Sequence, residues 1–355
     1  GLFVEKRGGR RPYGSWKDLK YFCQYIYTRS GTKRHRLIRF ALDLAIRGLD
    51  EDWKLLGTSR SPSLAGKWMP REKSRKFGWI HTKLAKLTFP HYLRTARTPD
   101  SKKRAFLKVK IQFTKRLVAL NRRLGTVQID QCAGRWRYIK FSRITALTLR
   151  RQQLALLNKR KTGQVRSTKE DRTVCAAQFI DYLEQAKSSP SQYPIHARGM
   201  MVHELVKAAL VAAKGSQVVK DIVNLQWADN ALGNKPMRNV IPCCDVSTSL
   251  EDTQSLGLYT AIGLSIRCAE LNQGVFKDRI LIFDANPRWI NMELCKTFVD
   301  KVSLVSSLVS GLNANFYRML RMVLDACVTA GTSPSEVQNM VLAIFSDMQV
   351  DPMWK

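Results

Sequence analysis

The sequence predicts an α + α/β fold, in which a basic helical region of residues 1–214 precedes a doubly wound α/β domain of residues 215–355. Apolar residues recur three and four positions apart through the first 200 residues, which is the spacing of amphipathic helices. Beyond about residue 214, short apolar runs alternate with helical stretches, as in a parallel sheet covered by helices on both faces. The two regions also differ sharply in charge.

Positive charge is concentrated in the first region. Residues 1–200 contain 46 of the 60 Lys and Arg residues but only 13 of the 28 Asp and Glu residues, whereas residues 201–355 are nearly neutral. Such an excess on a folded region causes self-repulsion. We therefore expect a polyanionic partner, and the alternative is a basic surface that serves solubility alone.

The predicted helices of the first region follow the apolar spacing. They cover residues 16–27, 33–46, 103–124, 143–157, 174–185 and 202–213. Residues 103–124 are the clearest, because six apolar residues form one stripe while Lys and Arg occupy the other faces. That stripe consists of Phe106, Val109, Phe113, Leu117, Leu120 and Leu124. Consecutive helices with short breaks indicate an α-solenoid or an irregular helical array.

The second region contains short apolar runs that read as buried strands at residues 238–245, 279–284 and 340–347, with a further candidate at 288–292. Helices are predicted between them, at residues 253–271, 294–307 and 315–330. A complete doubly wound domain usually has further β and α units. The sheet is therefore either truncated or completed by residues beyond this sequence.

Several classes of protein are disfavoured. No apolar run reaches the roughly 20 residues that span a bilayer, and no apolar core follows the basic start of the chain. Eight scattered cysteines without a C-x-x-C pair indicate a reducing, intracellular setting, and we expect the cytoplasm. Five scattered histidines and the absence of a nucleophile elbow, a phosphate-binding glycine loop or paired carboxylates argue against an enzyme.

A candidate metal site follows the first strand of the second region. Residues 240–250 read VIPCCDVSTSL, so Asp245, Ser247 and Ser249 follow an apolar strand at alternate positions. Ligands bind at the carboxyl ends of strands in doubly wound sheets. One carboxylate and two hydroxyl groups suit a hard cation such as Mg²⁺, or another divalent ion.

This motif resembles the metal-ion-dependent adhesion site of von Willebrand A domains. The resemblance implies a further Asp after a later strand, which Asp347 matches, and a Thr in another loop. Ala314 stands where that Thr is expected, and alanine cannot coordinate a metal. Either Asn313 or water substitutes for the Thr, or the site is degenerate and binds no metal.

Four segments, at residues 1–7, 63–72, 135–143 and 203–206, are similar to uncharacterised proteins of plants and large DNA viruses. That group in turn resembles TROVE proteins, which include the Ro ribonucleoprotein autoantigen. The resemblance implies a HEAT-like helical array that binds structured RNA. It also implies a Rossmann-like A-type domain that closes a ring or binds other proteins.

Basic residues interleaved with aromatics mark candidate RNA-binding surfaces, because cations neutralise phosphates and aromatic faces stack unpaired bases. The nominated residues are Lys67, Arg71, Lys73, Arg75, Lys76, Lys103, Arg104, Lys108, Lys115, Arg122, Arg123, Arg135, Trp136, Arg137, Lys140 and Arg143. For each single Trp the alternative is a place in the hydrophobic core. For the Lys and Arg runs it is a solvated helix face.

Two functions remain open at this stage. The first is a non-catalytic RNA-binding protein with a metal-dependent A-type domain. The second is a structural virion component whose basic face contacts the genome or acidic proteins. Composition does not separate them, because both require a polyanion on the basic surface.

Overall fold

The computed structural model describes residues 14–246, 256–308 and 315–346. The protein is mostly helical and has a small mixed sheet in its C-terminal region, which confirms the predicted combination of a helical region and an α/β region. It divides into two compact units, residues 1–134 and residues 135–355.

Unit 1 is entirely helical in its described part. Its helices are α1 (Trp16–Ser30), α2 (Arg36–Lys54), α3 (Ala65–Trp68), α4 (Gly78–Thr88), α5 (Pro90–Arg94), α6 (Pro99–Leu124) and α7 (Val127–Cys132). One hydrophobic core joins α1, α2, α3, α4 and α6. Its largest fully buried side chains include Leu19, Ile38, Leu42, Ile80 and Phe113.

The longest helix of the described residues, α6, begins and ends at residues that are typical of helix termini. Thr98 caps its start, because the Thr98 side chain accepts a hydrogen bond from the Ser101 backbone N–H at 3.2 Å. Gly125 ends it in the left-handed conformation, with φ of 58°. The side chains buried along α6 are Val109, Phe113, Arg116, Leu117 and Leu120, which confirms the central part of the predicted stripe.

Unit 2 begins with helices and continues into the sheet. The helices before the sheet are α8 (Ala146–Leu156), α9 (Glu170–Ser188), α10 (Val202–Ala213) and α11 (Gln217–Ala231). The strands are β1 (Met237–Arg238), β2 (Val240–Asp245), β3 (Asn272–Gln273), β4 (Arg279–Phe283), β5 (Arg288–Asn291) and β6 (Val341–Phe345). Between and around them lie α12 (Leu256–Leu271), α13 (Phe298–Ser306), α14 (Phe316–Thr329) and α15 (Pro334–Gln338).

The main sheet has the strand order β5-β4-β2-β6. Strands β4, β2 and β6 are parallel, with Cys244 of β2 opposite both Ile282 and Phe345. Strand β5 runs antiparallel to β4, so the sheet is mixed rather than purely parallel as expected. The reason is the four-residue connection 284–287, since a parallel return needs a crossover of a dozen or more residues.

Both faces of this sheet are covered, as the continuous apolar strands predict. Cys244 and Ile282 face a core formed with α10, α11, α12 and α13. Cys243 and Phe283 face the opposite core, to which α14 contributes Met319. Neighbouring residues on a strand point to opposite faces, and both cysteines are accordingly free thiols.

The predicted domain boundary at residues 214/215 does not coincide with the division into compact units at 134/135. Helix α10 packs on α12 of the sheet region, and the contact is close at Gly263. A Cβ atom at Gly263 would overlap the Val202 and Val206 side chains of α10. The apolar face of α10 is thus buried against the α/β region, although its sequence continues the helical pattern of the first 200 residues.

Among the described residues, no helix combines the length and the apolar character needed to cross a lipid bilayer.

Candidate metal centre and nucleic-acid interface

Asp245 is the last residue of β2 and lies at the carboxyl end of the parallel strands. Its side chain is buried, with 2% of the residue exposed. The Ser346 hydroxyl donates a short hydrogen bond of 2.5 Å to the Asp245 carboxylate. Ser346 directly follows β6, so the pairing of β2 with β6 places these two side chains together.

Oxygen-bearing side chains lie at the carboxyl ends of all three parallel strands. Asp245 is the last residue of β2, Asp284 comes directly after β4 and Ser346 comes directly after β6. The Asp284 carboxylate accepts a hydrogen bond from the Ala285 backbone N–H at 2.6 Å. Carboxylate and hydroxyl oxygens are the ligands that hard cations prefer, so the chemistry of this edge fits Mg²⁺.

Three of the four nominated metal ligands, Ser247, Ser249 and Asp347, lie outside the described residues, as does Ala314. Within residues 14–246, 256–308 and 315–346, no group of three or more His, Cys, Asp or Glu side chains is placed to hold a metal ion. The structure therefore positions Asp245 at the predicted edge of the sheet, while the complete ligand set stays a prediction.

The nominated cations of α6 lie on its exposed side. Arg104, Lys108, Lys115 and Arg122 are all exposed and are spaced four, seven and seven residues apart, which places them along one face of the helix. At 1.5 Å per residue, this row extends over about 27 Å. Lys103 and Arg123 are also exposed, and the Arg123 side chain donates to the Thr58 backbone carbonyl at 2.7 Å.

The nominated residues at positions 67–76, in α3 and in the loop that leads to α4, belong to the same compact unit. Arg71, Lys73, Arg75 and Lys76 are exposed, whereas Lys67 is half-buried. An ion pair of 2.8 Å between Glu72 and Lys110 ties this loop to α6. The Lys110 hydrogen bond lowers the pKa of Glu72. The structure thus brings the 67–76 cations and the α6 cations together in unit 1.

Not every basic or polar residue of this region belongs to a surface. The Arg116 side chain is buried on the inner side of α6, where it donates to the Leu49 carbonyl and pairs with Asp50 at 2.6 Å. His81 is also buried, and its ring contacts Phe113 edge-on. Burial lowers the pKa of His81. Both residues therefore belong to the interior of unit 1 rather than to its surface.

The nominated segment 135–143 lies in unit 2, where one carboxylate holds its first turn. Asp171, at the start of α9, accepts hydrogen bonds from the backbone N–H groups of Trp136 at 2.6 Å and Arg137 at 3.2 Å. The Arg137 guanidinium also donates to Asp171 at 3.1 Å and lies 3.4 Å from Glu170. Desolvation opposes ionisation of Asp171, but these hydrogen bonds outweigh it and lower its pKa.

Trp136 has one ring face covered. The Arg172 guanidinium lies 3.5 Å from the centroid of the Trp136 ring, and its side chain donates to the Ala155 carbonyl at 2.6 Å. Arg172 is itself buried. Trp136 and Arg137 thus hold the segment against α9, whereas Lys140 and Arg143 are exposed.

The structure adds basic residues that were not nominated from the sequence. Lys17 and Lys20 of α1 lie 5.8 Å and 5.3 Å from the Trp68 ring centroid. The sequence does not reveal this contact, because Lys17 and Lys20 lie far from Trp68 along the chain. The one sequence signal was the i, i+3, i+4 spacing of Lys17, Lys20 and Tyr21, which places these three residues on one face of α1 beside its buried positions.

Comparison with known proteins gives two matches. Residues 239–355 match the model of a family described as a domain of unknown function, DUF7788. The chain is 25% identical over 352 residues to an uncharacterized protein, L728, of Acanthamoeba polyphaga mimivirus. The alignment covers 95% of this chain and 56% of the viral protein, so the chain spans about half the length of that relative. No solved structure matches the chain significantly.

Replacing Asp171 by Ala should lower the melting temperature of the protein by a few degrees, because two backbone N–H groups and one guanidinium lose their acceptor. Glu170→Ala is the matched control, since it removes the same charge beside Arg137 but no backbone hydrogen bond. Thermal unfolding followed by circular dichroism measures both variants. Equal melting temperatures for the two variants would show that Asp171 does not anchor the segment.

Proposed function

We propose that this chain is a non-catalytic RNA-binding protein of a ribonucleoprotein, in which unit 1 contacts the RNA. The observation that carries the proposal is the charge of that unit. Residues 1–134 contain 32 Lys and Arg residues but nine Asp and Glu residues, a net charge of +23. Cations at this density release condensed counterions when they bind phosphates, which favours association with a nucleic acid.

The distribution of these cations over the surface supports the proposal. The acidic residues of unit 1 are already engaged at several points, as in the Asp50–Arg116, Glu72–Lys110 and Asp43–Arg39 ion pairs. The exposed row on α6 is therefore left with a strong positive potential. An exposed row of about 27 Å matches an extended phosphate backbone better than it matches a single small anion.

The resemblance to TROVE proteins supports structured RNA as the partner and a HEAT-like array as the architecture of the helical region. It also supports a von Willebrand A-type domain at residues 215–355 that binds other proteins or closes a ring. In this proposal the sheet of unit 2 forms that domain, with Asp245 at its ligand-binding edge. The protein would act inside the cell, in the cytoplasm.

A divalent cation, Mg²⁺ by preference, belongs to this proposal. Asp245, Ser247, Ser249 and Asp347 would hold it, with the buried Asp245 as one of the two carboxylate ligands. When bound, the cation would supply positive charge at this edge of the sheet for contact with a partner protein. Ala314 in place of the expected Thr reduces the affinity that we expect.

The second candidate function is a structural component of a virus particle. The observation that favours it is the similarity to the mimivirus protein. In that case the basic face would contact the genome or acidic proteins without preference for RNA.

Neutralising the α6 row should reduce the salt dependence of RNA binding. For the Lys108→Gln, Lys115→Gln, Arg122→Gln triple variant, we expect the slope of log K against log salt to fall by about 2, since each lost phosphate contact contributes about 0.7 to 0.9. Filter binding to a structured RNA from 50 to 300 mM salt measures the slope. Lys207→Gln, Lys214→Gln, Lys277→Gln removes the same charge from exposed positions of unit 2.

Equal slopes for the two triple variants would show that RNA does not bind to the α6 row. If the unaltered protein binds duplex DNA and acidic proteins as tightly as RNA, the virion function is favoured instead. Absence of salt-dependent RNA binding by the unaltered protein would reject the RNA-binding proposal itself.

Mg²⁺ should raise the melting temperature of the protein, because a ligand that binds only the folded state stabilises it by mass action. Asp245→Asn should remove this response, since it replaces a carboxylate ligand by an amide of the same shape. Asp325→Asn, at an exposed position of α14, removes the same charge and is the control that should keep the response. Thermal unfolding with 0 to 10 mM Mg²⁺ is the measurement, and an Asp245→Asn variant that still responds would reject the site.

A further inference from the structure

Three aromatic rings and three lysines form a cluster on unit 1, which we call the lysine–aromatic patch. Its members are Lys17, Lys20 and Tyr21 of α1, Lys67 and Trp68 of α3, and Phe77 before α4. The Lys20 ammonium lies between 5.3 and 5.7 Å from all three ring centroids. Lys17 and Lys67 lie 5.8 and 5.7 Å from the Trp68 ring. Two helices thus supply the cations of the patch, and three segments supply its rings.

The rings form an adjoining set rather than isolated contacts. Tyr21 meets Phe77 edge-on, with 5.2 Å between the ring centroids. Tyr21 is 45% exposed, and Trp68 and Phe77 are half-buried with their inner sides packed on the core. The patch therefore offers aromatic surface at a fixed position on a rigid support.

The lysines of the patch have no carboxylate partner within the described part of the chain, where the ion pairs of unit 1 involve other cations. Burial and the neighbouring Lys17 lower the pKa of Lys20, and burial lowers the pKa of Lys67. These shifts have the direction expected for ammonium groups that are partly removed from water without a compensating anion. A bound anion would relieve that cost.

We propose that the lysine–aromatic patch binds unpaired nucleotides of RNA, an inference that rests on the proposed RNA-binding function. Bases stack on the exposed ring faces, and the ammonium groups move from the rings to the adjacent phosphates. Paired bases cannot stack in this way, because their faces are already covered within the duplex. The patch thus selects loops and single-stranded ends, while the α6 row supplies contacts to phosphate alone.

This combination distinguishes nucleotides from other anions. An acidic peptide or polyphosphate would use the lysines but not the rings. Every base has an aromatic face, so stacking on Tyr21 and Trp68 is tolerant of sequence. Preference for single strands over duplex, without strong sequence preference, is the resulting specificity.

The test uses the full chain and two probes, a single-stranded oligouridine and inorganic polyphosphate, which has charge but no bases. Tyr21→Leu removes the ring and keeps an apolar side chain, and it should weaken oligouridine binding about fivefold or more. Polyphosphate binding should stay unchanged. Tyr25→Leu is the control, because Tyr25 is a 58% exposed residue of the same helix that does not belong to the patch, and its ring centroid lies 5.6 Å from the Arg29 guanidinium. It should leave both affinities unchanged.

The charge of the patch is tested separately. Lys17→Gln, Lys67→Gln should weaken the binding of both probes and lower the salt slope for oligouridine by about 1. The control Lys54→Gln, Lys86→Gln removes two exposed charges elsewhere in unit 1 and should lower it less. Photo-crosslinking of the unaltered protein to 4-thiouridine in the oligonucleotide should label Tyr21, Trp68 or Phe77, and it needs no variant to fold.

The possible results distinguish a failure of the lysine–aromatic patch from a failure of the proposed RNA-binding function. If the full chain binds RNA with steep salt dependence but Tyr21→Leu binds oligouridine like the unaltered protein, the patch is rejected and the RNA-binding function stands. Equal losses for oligouridine and polyphosphate, or crosslinks confined to residues outside the patch, also reject it. If the full chain binds no RNA, both proposals fall.

Discussion

The rest of the structure depends on how unit 1 accommodates its positive charge. Lys and Arg outnumber Asp and Glu by 32 to nine in residues 1–134, so mutual repulsion opposes folding. A continuous apolar core through five helices counters that repulsion. The carboxylates of unit 1 pair with a few cations, as Asp50 does with Arg116. Other cations of the described residues, such as Lys115 and Lys20, lie on exposed helix faces or over aromatic rings, where an anionic ligand would stabilise them.

Contacts between cations and aromatic rings serve two different purposes in this chain. In unit 2, the Arg172 and Arg267 guanidinium groups lie 3.5 and 3.4 Å from the ring centroids of Trp136 and Trp227. Both arginines are buried and also donate to backbone carbonyls, so these contacts fix helices and loops. In unit 1, the ammonium groups of Lys17, Lys20 and Lys67 lie more than 5 Å from the Trp68 ring centroid, and Lys20 makes only a long 3.5 Å hydrogen bond to the Trp68 carbonyl, so these contacts are more easily exchanged.

Local sequence pattern predicted much of this fold because helix and strand periodicities are local properties. The apolar stripe of α6 and the positions of strands β2, β4 and β6 agree closely with the prediction from this pattern. The pattern failed where burial depends on distant partners: Leu37 and Phe40 fit the apolar spacing of the predicted helix 33–46 but are 39% and 57% exposed. Helix α11 was missed. Spacing predicted the position of Asp245, but only the tertiary contacts show that Asp171 holds Trp136 and Arg137.

The central claim is that RNA binds to unit 1 through the α1–α3–α4 surface and α6. Amide hydrogen exchange of the full chain, measured free and saturated with an RNA that has single-stranded ends, tests it most directly. We predict slower exchange in residues 16–30, 65–88 and 99–124, with no change in residues 202–213 and 256–271. Protection confined to residues 135–355, or equal exchange in the free and RNA-saturated states, would contradict the claim.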